Sequence, residues 1–187
     1  MIITAVDSKR DLFYVENVIP DHILDLIKDC DLLQCPWETQ DMQASWSRRK
    51  LLPPADSPLS QVDTFYNQLL DKIADTVGIE FEHKTCWSSF WLDYENYTCG
   101  IHEDGAERGY TPLMAMQIYL TESESNLGTV WYNDAEGKTV RFAFPYKKNS
   151  GYLMLNHQGQ WHGMLTKVPA GELRLSSYTY LGEFKHK

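Results

Sequence analysis

No apolar run in this chain approaches the roughly 20 residues that a membrane-crossing helix needs, and no C-x-x-C pair, internal repeat, low-complexity tract or interdomain linker is present. These absences argue against a helical membrane protein, a paired-cysteine motif and a repeat architecture. Positive charge is also scarce: 17 Lys and Arg stand against 26 Asp and Glu, a net charge of −9. General binding to a nucleic-acid backbone needs a concentrated basic surface, so no nucleic-acid partner is expected. A small anionic substrate would have to be held by individual Arg or Lys residues rather than drawn in by the overall field. Residues 2–6, mostly apolar, are too short for a secretory segment and soon meet charge. The expectation is therefore a reducing, cytoplasmic setting in which Cys30, Cys35, Cys86 and Cys99 are thiols. A Cys30–Cys35 disulfide is the alternative.

What is present suits one soluble domain, since 187 residues are enough to bury a core without staples. Aromatic residues make up 13% of the chain, which fits a β-rich core with a walled cavity. The first part reads as a strand over 12–18 and a helix opened by Pro20 and running to about residue 33, with Ile23, Leu24 and Ile27 on one face. A second helix is marked by Ser57 as N-cap, Pro58 at its first position and the stripe Leu59, Val62, Phe65, Tyr66, Leu69, Leu70, Ile73 and Val77, and Gly78 ends it. Beyond residue 80 the period changes to that of strands, expected over 81–94, 113–120, 129–132, 140–145, 152–156, 161–167 and 173–181. About seven or eight strands after two helices predict a mostly β fold, a double-stranded β-helix (jelly roll, cupin-like) buttressed by the two helices. Residues 1–79 would support a catalytic core formed by 80–187. The segment 36–52, with Trp37, Trp46, Arg48, Arg49 and Lys50, reads either as an edge strand and loop or as a lid.

Chemistry concentrates in Ile101-His102-Glu103-Asp104-Gly105, in Gln160-Trp161-His162-Gly163-Met164, and in Arg174. Side chains two apart on an extended segment share a face. His102 and Asp104 can thus grip one ion while His162 arrives from a neighbouring strand, and Glu103 points away. Two histidines and one carboxylate leave three positions open, the arrangement of non-haem Fe(II) oxygenases. His157 is the rival to His162. His22 and His83 read as surface residues and His186 as part of a polar tail. The bland alternative for His102 and Asp104 is a solvated turn at Asp104-Gly105, and that for Arg174 is an ion pair. Trp87, Phe90, Trp91 and Trp131 read as core or cavity wall.

The order Tyr94, His102-x-Asp104, Gln117-Ile118-Tyr119-Leu120, Leu127-Gly128-Thr129-Val130-Trp131, Gly151-Tyr152-Leu153, His162 and Gly171 to Arg174-Leu175-Ser176 resembles the Fe(II)/2-oxoglutarate-dependent dioxygenases, nearest to the prolyl-hydroxylase-type subgroup. Phe13-Tyr14-Val15-Glu16-Asn17-Val18-Ile19-Pro20 followed by a helix is similar to that subgroup as well. The resemblance implies that His102, Asp104 and His162 hold iron and that Arg174 pairs with the distal carboxylate of 2-oxoglutarate. Tyr94, with Tyr97 as its competitor, and Tyr119 would assist. Fe(II), with 2-oxoglutarate and O2 as cosubstrates and ascorbate as stimulant, would hydroxylate an unactivated C–H bond. The substrate would be a prolyl residue of a protein or peptide, or a small molecule, and the enzyme a monomer or homodimer. Other readings of the same residues are a zinc-dependent hydrolase, a non-oxidative cupin-like small-ligand-binding protein, and a Cys99 nucleophile beside His102.

Overall fold

Alternation of apolar side chains along the central strands gives the main sheet two buried faces, and this decides the architecture. The computed structural model describes residues 1–29, 38–39, 48–51, 57–80, 83–104, 110–155 and 159–185. Its elements are β1 (Ile2–Ala5), β2 (Leu12–Glu16), α1 (Asp21–Asp29), β3 (Glu38–Thr39), β4 (Arg48–Leu51), α2 (Ser60–Val77), β5 (His83–Asp93), β6 (Tyr110–Tyr119), β7 (Thr129–Tyr132), β8 (Val140–Ala143), β9 (Ser150–Leu155), β10 (His162–Met164) and β11 (Arg174–Lys185). Eight strands form one sheet in the order β1-β2-β9-β6-β11-β5-β4-β3, and three form a second, β10-β7-β8. Every pairing in both sheets is antiparallel.

One face of the large sheet presents Phe13, Val15, Phe90, Met114, Met116, Ile118 and Leu153 to Ile23 and Ile27 of α1 and to Val62, Tyr66, Leu70 and Ile73 of α2. Residues one step out of phase, Leu12, Ala115, Tyr119, Tyr152 and Met154, turn to the other face and pack with Trp131, Phe144 and Tyr146. Strand period two thus assigns one set of side chains to the helices and the other to a cup floored by the large sheet and roofed by the small one. Asn149, with φ 58, turns the chain into β9. Its amide accepts from Ile19 N at 2.9 Å and donates to Ile19 O at 2.8 Å, tying the segment before α1 to the sheet.

The helices and core strands lie where periodicity puts them. Gly78 ends α2 in the left-handed region, with φ 81 and its N–H on Ala74 O. The start of α2 is later than expected: Ser57 Oγ accepts from Leu59 N and Ser57 O accepts from Ser60 N, so Ser57 and Pro58 form a turn before the helix. The strand count is eleven among the described residues, more than expected. β1 was too short to register as a periodic signal, and it exists because β2 supplies its ladder partners. Of the segment 36–52, β4 pairs with β5 on one side and β3 on the other, and β3 takes the sheet edge; residues 36–37, 40–47 and 52, and with them most of the segment read as a lid, lie outside the described residues, as do Cys30, Cys35, His157 and His186. Neither Cys86 nor Cys99 is in a disulfide. Among the described residues no helix is long and apolar enough to cross a membrane.

Candidate metal centre

The segment that follows β5 runs antiparallel to the chain at and beyond β10, through Asn96 N to Val168 O, Val168 N to Tyr97 O, Met164 N to Cys99 O, and a closed pair of bonds between the backbones of His102 and His162 at 2.8 and 2.9 Å. His102 and His162 are therefore cross-strand partners on an isolated bridge. A glycine is needed beside them: a Cβ on Gly163 would lie 2.9 Å from Cys99 O and 3.0 Å from Gly100 O. Close approach of these two backbones is what aligns the two imidazoles.

The ring centroids are 4.4 Å apart. Asp104 Oδ1 lies 3.6 Å from His102 Nε2 and 3.7 Å from His162 Nε2, and one donor atom from each of the three residues lies within 4.8 Å of the others. His102 Nδ1 is 2.9 Å from Gly100 O, and His162 Nδ1 is 2.8 Å from Gln160 O. A carbonyl can only accept, so each Nδ1 carries a proton, and each Nε2, when its ring is neutral, turns a lone pair to the centre. Tyr178 donates its hydroxyl to Asp104 Oδ2, which leaves Oδ1 for the imidazole side. Glu103 turns elsewhere and accepts from Gly159 N.

Further residues hold this arrangement from behind. The Trp131 indole stacks on the His162 ring at 4.6 Å and 12° and donates from Nε1 to Gln160 Oε1 at 3.1 Å. Gln160 donates to Asp11 Oδ2 at 3.2 Å, Asp11 pairs with Arg141, and Arg141 Nε donates to Asp7 Oδ2 at 2.8 Å. Tyr178, Asp11 and Arg141 escaped the sequence reading, as did the bracing role of Gln160 in its motif, because no spacing marks residues that meet across strands. Trp131 was readable as a wall.

Charge within the cluster is uneven. The hydrogen bond to Asp104 pushes His102 up to about 10, with Cys99 adding to the effect, while burial pushes His162 below its ordinary value. Burial raises Asp104, but the His102 hydrogen bond, the charge of His162 and the Tyr178 hydroxyl together hold it below the usual carboxylate range. At neutral pH the metal-free centre thus carries one extra proton, on His102. A divalent ion needs that nitrogen neutral, so binding is expected to expel about one proton per ion, and affinity to rise about tenfold per pH unit through the neutral range. Calorimetry of Mn(II) binding in buffers of different ionisation enthalpy measures this; no proton release would mean that His102 is not a ligand. The Cys99 thiol lies 3.6 Å from His102 Nδ1, whose proton is already directed to Gly100 O, so that nitrogen offers no lone pair to a nucleophilic thiol.

Arg174 opens β11 opposite Asp93, its Cα partner on β5. Both are fully enclosed, at 2% and 0% exposure. The guanidinium donates to Asp93 Oδ2 at 2.7 Å, Leu127 O at 2.9 Å, Gln117 Oε1 at 3.1 Å and Thr129 Oγ1 at 3.3 Å. It sits 5.4 Å from the Tyr119 ring, and Tyr119 donates its hydroxyl to Thr129 Oγ1. Tyr94 follows β5 directly and is half-buried, whereas Tyr97 is buried in the aromatic cluster. Tyr152 is buried on the cup face, its ring 6.5 Å from that of His162. Burial first, and then the charge of Asp104, raise its phenol well above the ordinary value, whereas Arg174 acts the other way. The phenol therefore feels both the histidine cluster and the guanidinium.

No family model matches the sequence, and no curated protein matches it. Solved structures do. A Pseudomonas putida prolyl-4-hydroxylase aligns with TM-score 0.67 and 16% identity over 98% of each chain. A Trichoplax adhaerens prolyl hydroxylase, in complex with a peptide fragment of the hypoxia-inducible-factor oxygen degradation domain, aligns with TM-score 0.68 and 12% identity over 96% of this chain and 87% of that one. HygX from Streptomyces hygroscopicus, with nickel, 2-oxoglutarate and hygromycin B bound, aligns with TM-score 0.61 and 14% identity over 92% and 83%. The chain is similar to these proteins in fold.

Proposed function

We propose that this chain is an Fe(II)- and 2-oxoglutarate-dependent dioxygenase of the prolyl-hydroxylase type, with a jelly-roll core, that hydroxylates an unactivated C–H bond. The observation that carries the proposal is the convergence of His102 Nε2, His162 Nε2 and Asp104 Oδ1 on one point. Two neutral imidazoles and one carboxylate fit Fe(II) and leave room for cosubstrates. Bound iron would supply the redox chemistry that couples decarboxylation of 2-oxoglutarate to succinate with transfer of one oxygen atom from O2 to the substrate, and ascorbate would keep the metal reduced.

The protein's own part is positioning. Gly100 O and Gln160 O fix the two tautomers, Tyr178 orients Asp104, and Trp131 braces His162. Arg174 would meet the distal carboxylate of 2-oxoglutarate, a group for which a planar fork of donors is suited, with Tyr119 beside it and Tyr94 at the end of β5. The buried wall of Tyr119, Trp131 and Tyr152 would keep water from the reacting centre.

A prolyl residue of a protein or peptide is the favoured substrate, supported by alignment with the Pseudomonas putida prolyl-4-hydroxylase over 98% of both chains. HygX, with hygromycin B bound, supports a small molecule as the second reading. The test is incubation with Fe(II), 2-oxoglutarate and ascorbate against peptide and metabolite panels, reading a gain of one oxygen in mass and a matching yield of succinate. Hydrolysis supported by zinc, with no use of O2 or 2-oxoglutarate, would overturn the proposal in favour of a hydrolase.

A further inference from the structure

One phenol of the cup has no protein group to bond. Tyr152 lies on β9 at 2% exposure, and its Cα partner on β6 is Gln117, whose Oε1 accepts from Arg174 Nη2 at 3.1 Å. Directly opposed residues of an antiparallel ladder share a face, so Tyr152 rises beside the group that holds the guanidinium. Its ring then leans to the other end of the cup, 4.3 Å from the Trp131 ring and 6.5 Å from that of His162. Neighbouring phenols are all engaged: Tyr119 donates to Thr129 Oγ1 at 3.1 Å, Tyr146 accepts from Leu175 N at 3.1 Å, and Tyr178 donates to Asp104. Among the described residues the Tyr152 hydroxyl makes no hydrogen bond. It is not sealed within protein either, so it borders open space in the cup. A hydroxyl kept out of bulk water without a partner is costly, and a bound ligand would supply the missing acceptor.

We propose that Tyr152 is a cosubstrate-binding residue whose hydroxyl donates to the 2-oxo acid end of the cosubstrate, the end that meets the metal. The inference rests on the dioxygenase reading. A 2-oxo acid presents a carboxylate and a ketone, whose oxygens only accept, and a neutral phenol has one hydrogen to give. Position selects the end. The Tyr152 ring lies against Trp131, which itself stacks on His162, and the charge of Asp104 acts on the phenol more than that of Arg174 does. The distal end has its own donor in the Arg174 guanidinium. The strands fix the placement, because the register of β9 against β6 holds Tyr152 opposite Gln117.

The experiment uses Tyr152→Phe, which removes the oxygen and keeps the ring. The full chain, loaded with redox-silent Mn(II), is titrated with 2-oxoglutarate and with 2-oxopentanoate, which has the same chain length without the distal carboxylate. Both acids are expected to bind the variant about tenfold more weakly, while Mn(II) affinity stays within about twofold. The urea midpoint of the metal-free variant is expected to equal or exceed that of the wild type, because no bond within the protein is lost. A lower midpoint overturns the proposal, since the hydroxyl would then be held by the protein rather than kept for a ligand. Binding of 2-oxoglutarate within about twofold of the wild type overturns it too. So does a loss for 2-oxoglutarate with 2-oxopentanoate unchanged, which would put the hydroxyl at the distal carboxylate. If the wild-type protein binds Mn(II) but neither keto acid, the dioxygenase reading itself fails, and this inference with it.

Discussion

Asp104→Ala is expected to leave the protein folded but unable to retain Fe(II) or to form succinate from 2-oxoglutarate. Asp104 is the sole anionic member of the candidate ligand set, and its Oδ1 lies 3.6 and 3.7 Å from the two imidazole nitrogens. Without it two neutral donors remain, and Tyr178 loses the carboxylate that receives its hydroxyl. Loss of a residue that merely supports a ligand commonly costs about 10–100-fold in metal affinity, so removing the carboxylate itself should cost more than that. The residue is partly exposed in a segment outside the two sheets, and little packing is lost with it. Metal titration followed by a succinate assay checks the expectation, and ordinary turnover by the purified variant would remove Asp104 from the centre.

Arg174→Ala should affect both the cosubstrate and the fold. Loss of the guanidinium that would meet the distal carboxylate should raise the 2-oxoglutarate requirement while iron still binds. The buried pair with Asp93 adds a second consequence. Removing Arg174 takes from the fully enclosed Asp93 the guanidinium that donates to its Oδ2, and breaking a buried pair in this way typically costs about 3–5 kcal/mol. Leu127 O, Gln117 Oε1 and Thr129 Oγ1 lose a donor at the same time. Urea denaturation should show a lower midpoint at unchanged slope. Replacing both members of the pair by apolar residues of similar size, Arg174→Met with Asp93→Leu, should recover much of the stability without restoring 2-oxoglutarate binding. A stable Arg174→Ala protein with an unchanged 2-oxoglutarate requirement would remove Arg174 from both roles.

How much of this was legible depended on the range of each interaction. The α2 stripe from Val62 to Val77 and its stop at Gly78 are local signals with a fixed period, and they fall where expected apart from the later start. The strand over 129–132 coincides with β7, because its ends are marked by turn residues. β1 and the turn at Ser57 depend on partners elsewhere or on competing local hydrogen bonds. His102, Asp104 and His162 were readable since a two-residue spacing on extended chain places two donors on one side, and the structure brings the third to them through the backbone bridge.

By itself the sequence determined the period of each element, the two faces of each core strand, the acidic character of the chain, and which three residues are the candidate metal-binding set. Tertiary structure alone decided which strands became neighbours. It set Asp93 opposite Arg174, ran a hydrogen-bonded chain from Arg141 through Asp11 and Gln160 to Trp131, and aimed the Tyr178 hydroxyl at Asp104. The reason is physical: hydrophobic periodicity is written in adjacent residues, whereas the partner of a buried charge is set by strand order and register between segments about 80 or more residues apart, as with Arg174 and Asp93.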